Sequence, residues 1–152
     1  MTTSPERTKA APTRLLLVDD HPGGLAARTS VLAELGFAIT TAVSAESALE
    51  KFKAEPFPLV VTDYKLPGMT GVDLIASIRL MNLDTRIVLI SGFVDALGLT
   101  EETTQADVVL AKSSNEVNML IRAVQRLTRR AAAKKPASAA KRPASRRKST
   151  GG

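Results

Sequence analysis

Cysteine is absent from this chain, which excludes disulfide bonds, thiolate metal sites and cysteine nucleophiles. Tryptophan is absent too, and aromatics make up 3% of the residues. With 44% hydrophobic residues in a 152-residue chain, there is material for one domain with an aliphatic core. Long apolar runs are missing: none approaches the roughly 20 residues of a membrane span. Met1 to Pro12 also lacks the apolar centre of a signal peptide. A cytoplasmic protein without membrane insertion is the expectation.

Acidic residues are missing from the C-terminal end. Residues 129–152 hold nine Lys or Arg and no Asp or Glu. The formal charge of +6 is therefore segregated, and the rest of the chain is mildly acidic. Beyond Thr128 the hydrophobic periodicity stops, and little but alanine methyl groups is left to bury. The expected organisation is a flexible lead (1–13), a folded domain (14–128) and a disordered Lys/Arg/Ala-rich tail (129–152). Such a tail suits non-specific contact with nucleic acid or docking on an acidic partner. It has no aromatics to stack on bases.

Five short apolar runs read as strands. Arg14 to Val18 is followed by helical spacing at Leu25, Val31, Leu32 and Leu35, with Gly36 placed to end that helix. Phe37 to Val43 is β-rich. Ser44 is a candidate N-cap for a helix over Ala45 to Lys53. Leu59 to Thr62 leads into a loop from Tyr64 to Gly71, then a helix ending near Leu80, with Asp73 supporting its start. Arg86 to Ile90 and Val108 to Leu110 complete the strands. The segment between them, Asp95 to Gln105, is a short or frayed helix. Ser113 and Glu116 fit a capping box for a final helix carrying Val117, Leu120, Ile121, Val124 and Leu127. Strand–helix alternation five times over implies an α/β doubly wound parallel sheet, of flavodoxin-like strand order 2-1-3-4-5.

Asp19, Asp20, Asp63, Ser91 and Lys112 all stand at or just past the carboxyl end of a strand, the edge where ligands bind in such sheets. Three carboxylates suit a hard divalent cation such as Mg²⁺. Without one they would repel each other and raise their own pKa values. A carboxylate can attack phosphorus, and an ammonium and a hydroxyl can neutralise phosphoryl oxygens. Each of these residues alone has an ordinary explanation, as a cap, a turn residue or a solvated lysine; their joint placement favours one site. His21, the only histidine, reads as an exposed residue on the rim of that site.

The segments Leu16-Leu17-Val18-Asp19-Asp20-His21-Pro22 and Val60-Val61-Thr62-Asp63-Tyr64-Lys65-Leu66-Pro67-Gly68-Met69-Thr70-Gly71, with Ile90-Ser91-Gly92 and Ala106-Asp107 before Lys112, resemble the receiver domains of bacterial two-component response regulators. The resemblance covers about Arg14 to Arg130. It implies that Asp63 accepts a phosphoryl group from a sensor histidine kinase or phosphotransfer protein. It also implies that Asp19, Asp20, Asp63 and the backbone carbonyl of Lys65 hold Mg²⁺, and that Ser91 and Lys112 contact the phosphoryl group. Two positions depart from the family pattern. Val109 replaces an aromatic residue whose ring swings on activation, and Ser113 replaces the proline after the lysine.

The resulting expectation is a stand-alone receiver that signals by protein–protein contact with a downstream target of unknown identity. Its own chemistry would be limited to self-catalysed phosphoryl transfer and hydrolysis. One alternative is a receiver-like scaffold whose tail binds nucleic acid. Another is an aspartyl-phosphate phosphatase, which would need an acid where Lys65 follows Asp63 by two residues.

Overall fold

The computed structural model describes residues 11–140, with side chains described as far as Arg129. Five strands alternate with six helices: β1 (Arg14–Val18), α1 (Pro22–Glu34), β2 (Ala38–Ala42), α2 (Ala45–Ala54), β3 (Leu59–Asp63), α3 (Gly71–Met81), β4 (Arg86–Ser91), α4 (Val94–Leu97), α5 (Glu101–Thr104), β5 (Val108–Ala111) and α6 (Glu116–Ala140). All pairings are parallel, in the order β2-β1-β3-β4-β5, as predicted. No helix among the described residues is long and apolar enough to cross a membrane.

Side chains alternate across a strand, and the core divides accordingly. Leu16, Val18, Val60, Ile87 and Leu89 face α2 and α3, where they meet Ala45, Ala48, Phe52, Leu74, Ile75 and Ile78. Leu15, Leu17, Leu59, Val61, Val88, Ile90, Val108 and Leu110 face the other way, against Leu32 of α1 and Leu120, Val124 and Leu127 of α6. Continued past the last apolar residue of each strand, the alternation assigns the polar residues. Asp19, Asp63 and Lys112 inherit the α1/α6 side; Ser91 inherits the α2/α3 side.

Local chemistry ends the elements where the sequence suggests. Gly36 follows α1 with φ +101°; its N–H and that of Phe37 donate to Ala33 and Leu32, closing the helix in a Schellman arrangement. Ser44 caps α2 by accepting from the Ser47 N–H. Thr70 and Asp73 form a reciprocal capping box at α3.

Three expectations require correction. Leu35 is exposed at the end of α1, and Arg28 is buried instead, for a reason given below. The segment over Asp95 to Gln105 forms two single-turn helices, α4 and α5, separated at Gly98. Ser113 and Glu116 make no capping box: the Ser113 hydroxyl accepts from Asn115 N–H, and the Glu116 carboxylate is taken by Arg28. α6 continues through Ala140. Residues 130–135 are Arg, Ala and Lys, good helix formers, and extending a helix already nucleated costs far less than starting one. The lead up to residue 10 and the tail from 141 onward lie outside the described residues.

The turn from β3 into α3 has room only for glycine. Gly71 N–H donates to the Tyr64 carbonyl at 2.6 Å, and a Cβ on Gly71 would stand 2.2 Å from the Asp63 carbonyl oxygen. Gly71→Ala is therefore expected to force this loop off the end of β3 and to destabilise the fold by about 2 kcal/mol. Urea denaturation checks this; an unchanged midpoint would show that the loop yields freely.

Candidate functional site

Asp63 ends β3 and Asp19 directly follows β1; they are 1% and 2% exposed. Because β1 and β3 are adjacent in register, with Val18 opposite Thr62, the two carboxylates emerge side by side on the α1/α6 face. Buried carboxylates need partners, and α1 supplies one. Arg28, 6% exposed, donates through Nη1 to Asp19 Oδ2 at 3.1 Å and to Asp63 Oδ1 at 2.9 Å. Its other edge, Nε and Nη2, donates to Glu116 Oε2 at 2.9 and 2.6 Å. The Lys112 ammonium stands 3.4 Å from Asp63 Oδ2, and the Lys112 N–H donates to the Ser91 carbonyl.

Asp20 is half-buried and lies at the edge of the cluster. Its Oδ1 is shielded from solvent and finds no well-aligned hydrogen-bond donor, although His21 Nδ1 is 3.1 Å away. His21 is 72% exposed at its side chain, a rim residue as expected, and its N–H donates to Asp19 Oδ1 at 2.9 Å. Asp19, Asp20, His21 and Asp63 each offer a ligand atom within 4.8 Å of the others. Three carboxylates make a hard-oxygen donor set of the kind Mg²⁺ takes. The orphaned Asp20 oxygen is the atom a cation would satisfy, so the residues fit such an ion.

The structure therefore brings together Asp19, Asp20, Asp63 and Lys112. Ser91 is buried at the end of β4, but its Oγ accepts from the Phe93 N–H at 2.9 Å, in its own loop. Lys65 is exposed in the loop after β3, with its ammonium 5.4 Å from the centre of the Phe93 ring. Two participants were missed. Arg28 carried a signal: it lies three residues after Leu25 and four before Leu32, which puts a charge on the apolar stripe of α1. Glu116 carried a misleading one, since its spacing from Ser113 mimics a capping box.

Electrostatics follow from this packing. Burial, and next the contact with the Asp19 carboxyl, push the Asp63 pKa up to about 6 against the partial opposition of Arg28. Burial works against the Arg28 charge, but Asp63 and Glu116 outweigh it and raise the Arg28 pKa.

The chain matches the family model described as response regulator receiver domain over residues 15–125, and it belongs to that family. Among solved structures it is similar to the response regulator TrrA of Thermotoga maritima, determined with Mg²⁺-BeF, at 31% identity and a TM-score of 0.69, covering 76% of this chain and 98% of that one. TrrA bound to the histidine kinase ThkA matches with a TM-score of 0.67. Among curated proteins, the sensor protein ArcB of Escherichia coli strain K12 is 40% identical over 60 residues, which are 40% of this chain and 8% of ArcB. The receiver protein CpdR of Brucella abortus is 31% identical over 80 residues, 53% of this chain and 67% of CpdR. The chain thus spans 8% of the ArcB sensor proteins that it matches.

The elevated Asp63 pKa sets a pH dependence of stability. A carboxyl that binds its proton more tightly folded than unfolded gives stability present below the unfolded value, 3.8, and lost as pH rises through about 6. In the presence of a chelator, Asp63→Asn should therefore be more stable than the natural protein near pH 7.5, by an amount on the order of 2 kcal/mol. The gain should fade toward pH 4. Thermal melts across that range check it; a gain that grows as pH falls would contradict the assignment.

Proposed function

We propose that this chain is a phospho-acceptor receiver: Asp63 takes a phosphoryl group from a phosphohistidine of a sensor kinase or phosphotransfer protein. The observation that carries the reading is the Asp63 carboxylate itself. It is buried at the topological switch point, beside a second buried carboxylate and within 3.4 Å of an ammonium. In the transfer, an Asp63 carboxylate oxygen attacks phosphorus, an O–P bond forms, the N–P bond breaks, and the departing imidazole nitrogen takes up a proton. Asp63 must be ionised to attack, so its elevated pKa favours transfer above about pH 6.

Asp19, Asp20, Asp63 and the Lys65 carbonyl would hold Mg²⁺, which when bound supplies charge neutralisation for the phosphoryl oxygens. Lys112 already faces Asp63 and would pair with a phosphoryl oxygen. Ser91 would have to release the Phe93 N–H and turn toward the crevice to do the same. TrrA, which is 31% identical, has been solved both with Mg²⁺-BeF and with a histidine kinase; this supports the same ion and the same kind of partner here. Lys65, not an acid, stands two residues after Asp63, which argues against phosphatase turnover. Signalling would proceed by contact with a downstream protein in the cytoplasm. The nucleic-acid or acidic-partner role of the 129–152 segment stays a separate reading, half of it outside the described residues.

Intact mass after treatment with acetyl phosphate and Mg²⁺ tests the acceptor. The natural chain should gain one phosphoryl group and Asp63→Asn none; an equal gain in both would remove Asp63 from the role.

A further inference from the structure

Arg28 has no part in the reaction just described, yet it is the most thoroughly bonded side chain at the site. Both hydrogens of Nη1 are spent on Asp19 and Asp63, and Nε and Nη2 both reach Glu116. Four of the five guanidinium donors are thereby used. A buried arginine so held is costly to move unless another charge takes its place. Its Nη1 stands between one oxygen of Asp19 and one of Asp63, two residues of the cluster that could hold a metal.

The charges at the site make the exchange specific. Asp19, Asp20, Asp63 and Glu116 bring four negative charges, and Arg28 and Lys112 bring two positive ones. The surplus is two negative charges, which one divalent cation would balance. With Arg28 withdrawn to Glu116, those two form a neutral pair. The three aspartates and Lys112 then carry the same surplus around the cation.

We infer, resting on the reading of Asp19, Asp20 and Asp63 as a divalent-cation site, that Arg28 is a built-in competitor for that cation, which must give up the two aspartates and withdraw onto Glu116 before the ion is fully held. Arg28 keeps the carboxylates paired when no ion is bound, and Glu116 is the acceptor that lets it leave. Cation affinity is thereby set by a residue that never touches the ion, and the exchange is felt at the first residue of α6.

Calorimetric titration of Mg²⁺ into the full chain, near pH 7.5 and at about 0.15 M salt, tests this in four proteins. Arg28→Met removes the competitor and should bind Mg²⁺ about tenfold tighter than the natural chain. Glu116→Gln removes the place to which Arg28 withdraws and should bind several-fold weaker. In the Arg28→Met background, Glu116→Gln should change the constant less than twofold, because its effect runs through the arginine. Unchanged or weaker binding by Arg28→Met would overturn the inference, as would an equal effect of Glu116→Gln in both backgrounds. Should Arg28→Met fail to fold, Glu116→Gln against the natural chain decides: binding as tight or tighter overturns it. Binding by none of the proteins would remove the cation site itself. A chain that takes up phosphate and binds Mg²⁺, with no gain on losing Arg28, would leave the acceptor reading standing and defeat this one alone.

Discussion

The organisation of this protein depends on burying two carboxylates side by side where adjacent parallel strands end. β1 and β3 place Asp19 and Asp63 on the same side of the sheet by alternation alone. Neither has enough water around it to screen the other. Such an arrangement is unfavourable by itself, and the surroundings compensate it from two directions. Arg28 reaches in from α1 with two hydrogen bonds, and Lys112 approaches from the end of β5. The elevated Asp63 pKa measures what is left uncompensated. That residual cost makes the site receptive to further positive charge, which is the property a metal-assisted phospho-acceptor needs.

Much of this was legible in the sequence because strand ends are. Five apolar runs, four of them ending in a chemically distinctive residue, fix a parallel sheet and put Asp19, Asp20, Asp63, Ser91 and Lys112 on one edge. What the runs do not announce is which side of the sheet each polar residue takes. Counting by twos along each strand separates Ser91 from Asp63, and the Ser91 hydroxyl is indeed engaged with Phe93 in its own loop. Arg28 and Glu116 were hidden for a different reason. Arg28 lies 35 residues from Asp63 and 88 from Glu116 in sequence, and its nearer partner Asp19 sits on a different element, so local spacing suggests a surface arginine and a helix cap. Only the sheet order shows that α1 and α6 flank the same crevice.

Of the two departures from the family pattern, Ser113 lines the crevice with Asp19, Arg28 and Lys112, whereas Val109 falls on the other side of the sheet. Val109 lies with the α2/α3 core, and its backbone N–H, on the open edge of β5, donates to Glu101 Oε2 at 2.9 Å. α5 is thereby tied to the edge strand through the main chain, where the family's aromatic ring would act through its side chain. Two four-residue helices joined at Gly98 make this corner a chain of turns, with none of the leverage of a long helix. A ring-swing mechanism has no mechanical part here.

The hydrogen-bonded route out of the acid site runs the opposite way. From Asp63 it passes through Arg28 to Glu116, the first residue of α6. Both links are charge-assisted, and the Arg28 side chain that joins them is buried, where such bonds are strong and where losing one partner is felt by the other. A helix start is also where an acidic side chain interacts favourably with the unpaired N–H groups of the first turn. Whatever alters the grip of Arg28 on Glu116 therefore alters the electrostatics of the α6 N-terminus. Release of Arg28 by Asp63 therefore changes the pairing at the start of α6 directly. α6 thus starts on a carboxylate bonded, through one buried arginine, to the acid site, and packs Leu120, Val124 and Leu127 against the same face of the sheet.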